Sequence, residues 1–163
     1  MSTVQIACHY ADQVLAGEIV ACEYVKLACK RFIKDLDSDL WAFDVDKAQR
    51  ILDFYPDFIR HVKGDLSGKP YELSNWETFI LSNIFGFVDP VTRMRRFRTA
   101  YVEVARKNSK STLCSGIALF MTAFDNEGGA EVYSAATTRE QARIVFDDAK
   151  TMIAKSPNLK KVF

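Results

Sequence analysis

The chain has 163 residues, enough for one domain with a buried core but short for a multi-step enzyme. Its 48% apolar and 26% charged residues are ordinary for a globular protein and exclude a disordered or fibrous chain. A formal net charge of +1 supplies no global attraction for nucleic acid, so any such partner must be met by local clusters of charge.

In chain order, residues 11–37 read as helical. Val25, Ala28, Cys29, Phe32 and Leu36 recur at helix spacing, with Lys26, Lys30 and Lys34 on another face. A second helix is predicted over Asp46–His61, carrying Ile51, Leu52, Phe54 and Phe58, with Pro56 expected to kink or split it. Gly64–Pro70 is a turn-rich connector. Ser74-Asn75-Trp76-Glu77 has the form of a capping box and opens a helix through Phe79, Ile80, Asn83 and Ile84 to Gly86. Asp89-Pro90 marks a turn.

From Phe97 the pattern changes. Arg98–Val104 is strand-like, Ala105–Ser109 a polar loop, and Lys110 to about Phe124 an apolar helix. Asp125–Gly129 is a loop and Ala130–Ala135 a second short strand. Thr138-Arg139-Glu140-Gln141 is another capping box, opening a helix with Ala142, Val145, Phe146, Ala149 and Ile153 at core spacing. Fold class is therefore α/β: a helical segment over residues 1–70, then β-loop-α-β-α over 71–163, the start of a parallel sheet. Two strands do not make a parallel sheet buried on both faces, so the sequence is expected to stop partway through a larger fold.

Cys8, Cys22, Cys29 and Cys114 form no C-x-x-C pair and fit neither a disulfide framework nor a zinc site; they read as free thiols. His9 and His61 are isolated and suggest no metal site. The N-terminus has no signal-peptide pattern, and no apolar run approaches the roughly 20 residues needed to cross a bilayer. The expectation is a soluble intracellular protein with no membrane partner.

The most informative stretch is Val102-Glu103-Val104-Ala105-Arg106-Lys107-Asn108-Ser109-Lys110-Ser111-Thr112. A strand, a polar turn, Lys-Ser-Thr and an apolar helix are the context of a phosphate-binding loop. There the backbone amides and the helix N-terminus face a phosphate, the lysine neutralises it, and the next hydroxyl binds Mg²⁺. Both glycines of G-x-x-x-x-G-K-[ST] are absent: Ser109 precedes Lys110, and Val104 stands at the first glycine position. Such a turn requires a strand leading into it and a lysine closing the pocket. The alternative is a basic, solvated strand-to-helix turn.

Three ordered segments resemble the large terminase subunits of tailed bacteriophages, over roughly residues 25–163. Arg106-Lys107-Asn108-Ser109-Lys110-Ser111 is similar to that family's R-K-N-G-K-S loop, differing at Ser109. Tyr71–Gly86 resembles its adenine-recognition segment, L-x-P-W-Q-x-F-I-L-x-x-I-F-G. Ser134–Ala142 resembles the second strand and the A-x-x-x-x-Q-A that opens the next helix. The resemblance implies the ATP-binding region of a DNA-packaging motor, with ATP and Mg²⁺ as cofactors. Its implied partners are double-stranded DNA, a portal protein, a small terminase subunit and further copies in a ring, in the host cytoplasm and transiently at the procapsid.

By the same resemblance, Lys110 is the phosphate-loop lysine, Ser111 the magnesium-binding hydroxyl with Thr112 as its substitute, and Arg106 an arginine near the γ-phosphate. Lys107, Asn108 and Ser109 line the loop, the last two through their amides. Trp76 and Glu77 match a Trp-Gln pair that reads adenine. Glutamine offers a donor and an acceptor whereas ionised Glu77 only accepts, and a capping role explains Glu77 equally well. Trp76 is alternatively a core anchor, and Gln141 a capping residue; Thr137 and Thr138 are alternatively reporters of nucleotide or DNA state. Seven basic residues, Arg93, Arg95, Arg96, Arg98, Arg106, Lys107 and Lys110, lie close in sequence and suit a phosphate-rich partner or a solvated strand entry. Arg96 and Arg98 are expected on one strand face.

Hydrolysis also requires an acidic pair at the end of an apolar strand. After Gln141 the only acids are Asp147 and Asp148, on a predicted helix. A helicase-like translocase and a non-catalytic docking module for packaging partners are the other readings.

Overall fold

The computed structural model describes residues 3–163. They form two compact units: residues up to Leu52 together with Leu73–Tyr101, and Asp53–Glu72 together with Val102–Phe163.

The first unit is built on three helices. α1 (Thr3–Ala16) turns Ala7, Ala11 and Val14 inward, and α2 (Glu23–Leu36) turns Cys29 and Phe32 to meet them. The predicted helix over 11–37 is thus two helices. Gly17 takes φ +81° and the amides of Glu18 and Ile19 close on the Gln13 carbonyl, which ends α1. α4 (Asn75–Gly86) adds Phe79, whose ring meets Phe32 edge-on with centroids 5.3 Å apart. β1 (Ala42–Phe43) and β2 (Phe87–Val88) pair antiparallel, Ala42 opposite Val88 and Phe43 opposite Phe87. Gly86 makes room for this layer: a Cβ there would lie 2.6 Å from the Phe43 ring.

α3 (Val45–Phe58) passes from the first unit into the second, and Pro56 sits inside its last turn without splitting it. The carbonyls left open there are met by the Arg60 guanidinium, which donates to Pro56 O at 2.8 Å and Asp57 O at 3.1 Å. In the second unit α5 (Lys110–Ala123) packs against α6 (Arg139–Lys155), and a short 3₁₀ turn, Leu159–Lys161, follows. Phe54, Phe58, Phe120 and Phe124 form an aromatic cluster with centroids 4.7–5.4 Å apart. Gly116 is obligatory for this packing, because a Cβ would fall 2.6 Å from the buried Tyr55 ring.

Helical content with a small sheet is broadly α/β, but the expected parallel β-loop-α-β-α sheet is not formed among the described residues. Arg98–Val104 and Ala130–Ala135 join no ladder, and the sheet present is the antiparallel β1–β2 pair. A parallel pair is stable only when further strands flank it and both faces are covered. On α6 the predicted face is turned inward at Ala142, Val145, Ala149 and Ile153, which are half-buried beside the buried Asp148 and Met152, but Phe146 departs from it and is 63% exposed. No helix among the described residues is long and apolar enough to cross a membrane.

Candidate nucleotide-binding site

Arg106–Thr112 is the turn into α5. Residues 105–110 are exposed, and Ser111 and Thr112 are half-buried. Lys107 and Ser109 both adopt left-handed backbone, at φ 67° and φ 51°. Ser109 is the N-cap residue of α5, and its carbonyl accepts from Leu113 N at 2.9 Å. Its side chain makes no cap hydrogen bond, and the first turn of α5 carries no acid. The leading amides of an apolar helix are thereby left for another acceptor, at the end where the helix dipole favours an anion. Asn108 closes the turn on itself, its Nδ2 donating to Ala105 O at 3.3 Å.

Two residues that the sequence did not single out hold this end of α5 in place. Tyr55 is fully buried and its hydroxyl donates to Leu113 O at 2.7 Å. Ser115, also buried, lies 2.9 Å from Val145 O on α6 and 2.8 Å from Ser111 O. Gly116, a glycine within an apolar helix, was the available sign of a close approach there.

A phosphate-gripping turn also requires an entering strand and an inward lysine. No ladder leads into this turn, and Lys110 is exposed. By its local geometry alone the turn is a basic, solvated helix start with an open anion-facing end.

The remaining predicted site residues belong to the first unit. Glu77 is 3% exposed; its Oε2 accepts from Ser74 N at 2.9 Å and from Ser74 Oγ at 2.6 Å, so the capping function is realised. Trp76 is half-buried beside it in the same turn. The basic cluster upstream is occupied with structure. Arg93 pairs with Asp44, Arg96 lies 2.5 Å from Asp35 and over the Trp41 ring at 4.6 Å, and Arg95 lies over Phe85 at 4.4 Å. Arg96 and Arg98 share no strand face, because no strand forms.

At α6 the Thr138 hydroxyl accepts from Gln141 N at 3.3 Å, and Thr137 Oγ1 donates to Gln141 Oε1 at 2.8 Å. Gln141 therefore serves the helix start, although its side chain is held by Thr137 and not by the cap residue. Asp147 pairs with Arg143 at 3.4 Å and Asp148 with Lys63 at 3.3 Å. All four cysteines are free. Burial pushes the Cys114 thiol, one turn into α5, above its ordinary value, with Lys110 pulling the other way. No group of three or more His, Cys, Asp or Glu side chains among the described residues is placed to hold a metal ion.

The profile of the family described as the terminase large subunit, ATPase domain, matches residues 75–163, more than half of the chain. The chain belongs to the terminase large subunit ATPase family. It is also similar to the large terminase subunit of Enterobacteria phage HK97, with 29% identity over 118 residues. That match takes in 71% of this chain, which spans only 22% of the length of its relative. No solved structure matches. The terminase match begins at the first residue of α4 and runs through the turn at Ser109, α5 and α6.

Proposed function

We propose that the chain is the ATP-binding part of a viral DNA-packaging motor, in which the turn Arg106–Thr112 takes the polyphosphate of ATP. The observation that carries this reading is the unbroken terminase ATPase match across residues 75–163, which contains that turn and the helix it opens. The uncapped, acid-free N-terminus of α5 supports it, because it leaves amides aimed at an anion. Lys110, exposed in the first turn of α5, supplies the compensating charge only by turning inward over a bound phosphate. Arg106 attends the γ-phosphate with a planar, always-charged guanidinium. Lys107, Asn108 and Ser109 border the polyphosphate.

Mg²⁺ would be held by the half-buried Ser111 hydroxyl together with the phosphates, with Thr112 next in line; among the described residues no cluster of carboxylates is placed to hold it. The adenine role of Trp76 and Glu77 belongs to the same reading. The proposal for these residues is nucleotide binding; Asp147 and Asp148 are paired with Arg143 and Lys63. Double-stranded DNA, a portal protein, a small terminase subunit and a ring of copies are the partners that the reading implies for the motor, in the host cytoplasm.

Fluorescence anisotropy of a labelled ATP analogue with Mg²⁺, titrated with the full chain, tests the reading. Saturable binding is expected, and Lys110→Ala should weaken it about tenfold or more, since hydrogen bonds to charged groups contribute about 1.5–3 kcal/mol. Equal affinity in the two proteins, or none in either, would overturn it. A docking role without nucleotide is the reading that Lys110's exposure favours if that happens.

A further inference from the structure

The turn at Ser109 has little of its own to hold it. Residues 105–110 are exposed, and the Ser109 side chain makes no cap hydrogen bond. The head of α5 is fastened from behind instead. A helical carbonyl has two lone pairs, so one can serve the helix ladder and the other a side chain. Leu113 O, in the first turn, accepts from the Tyr55 hydroxyl at 2.7 Å. Ser111 O, in the same turn, lies 2.8 Å from the Ser115 hydroxyl, which is also 2.9 Å from Val145 O on α6. Tyr55 and Ser115 are both fully buried. Gly116 leaves the space into which the Tyr55 ring reaches, since a Cβ there would lie 2.7 Å from the phenol oxygen.

We infer that Tyr55 is a positioning residue for nucleotide binding: through Leu113 it fixes the first turn of α5, so that the open amides and the Ser111 hydroxyl are in place before a phosphate arrives. The inference rests on the reading of Arg106–Thr112 as the polyphosphate site. Its physical content is preorganisation. A turn with left-handed backbone at Lys107 and Ser109 has other conformations to relax into, and a ligand that must first order it loses affinity to that ordering. Tyr55 touches no ligand in this role. Ser115 acts beside it, restraining the main chain of Ser111 from the side of α6.

Tyr55→Phe keeps the ring against Gly116 and removes only the hydroxyl. In the full chain it should weaken binding of a labelled ATP analogue with Mg²⁺ about three- to tenfold, and weaken competition by inorganic tripolyphosphate by the same factor. Ser115→Ala should act in the same direction. Amide hydrogen exchange of the unliganded Tyr55→Phe chain should rise at residues 113–117, the first amides that the helix ladder protects, more than at residues 145–155 of α6. Leu159→Val, a trimmed buried side chain in the turn after α6, controls for lost stability alone and should leave both affinities unchanged. A parent chain that binds while Tyr55→Phe binds equally well would sink the positioning role and leave the nucleotide reading standing. So would an equal loss in Leu159→Val, or exchange raised evenly over α5 and α6. A parent chain that binds neither ligand would sink the reading and this role together.

Discussion

Ser109 holds φ 51°, ψ 11°, a backbone state in which an L side chain crowds the following carbonyl at a cost of about 1–2 kcal/mol. Serine tolerates the site because it is small. Glycine relieves the crowding but adds entropy to the unfolded chain, so the net gain is less than the relief. Ser109→Gly should therefore raise stability in urea by up to about 1 kcal/mol, whereas Ser109→Val, β-branched in left-handed backbone, should lower it. The ranking glycine above serine above valine is the content of the prediction. A valine variant as stable as serine would mean that the turn is not left-handed at this position. Lys107, at φ 67°, stores a similar strain two residues earlier. Two strained residues in one turn lead directly to an uncapped helix start.

At the scale of elements, caps and helices were legible because their signals are local. The Ser74–Glu77 box, the Thr138 cap, the stop at Gly86 and the helix from Lys110 all stand where the sequence placed them. Strands were not legible from residues alone. Arg98–Val104 and Ala130–Ala135 have strand composition, but a ladder needs a partner with the right register, and neither segment finds one here. The division between α1 and α2 was missed because the apolar periodicity resumes after Gly17 and masks the turn. Tyr55, which fixes the head of α5, was invisible because its partner Leu113 lies 58 residues away.

The Glu77 cap can be tested directly. Glu77→Ala removes an acceptor of two bonds from Ser74 in a buried setting and should cost about 1–2 kcal/mol in urea unfolding. Glu77→Gln keeps an acceptor for the Ser74 amide, as capping boxes with glutamine do, and should retain most of that stability. An alanine variant indistinguishable from the parent would remove the structural explanation and return Glu77 to a purely ligand-facing role.

For the molecule as a whole, the second unit leaves large apolar side chains in water: Tyr133 is 83% exposed, Phe146 63%, Phe163 51% and Val132 43%. Single exposed apolar residues are normal, but several on one small unit make a surface that other apolar molecules can wet. Val132 and Tyr133 have the side chains of a strand and no layer above them, and Phe146 lies on the flank of α6 that its core-facing residues leave open. A chain with this surface should bind an apolar dye such as anilinonaphthalene sulfonate while keeping cooperative unfolding. The combined variant Val132→Ser, Tyr133→Ser and Phe146→Ser should reduce that fluorescence by about half or more. Each replacement is at an exposed site and so should shift stability by no more than about 0.5 kcal/mol. Dye binding that persists in the triple variant would place the apolar surface elsewhere. A large loss of stability would show instead that these side chains pack against something the chain supplies itself.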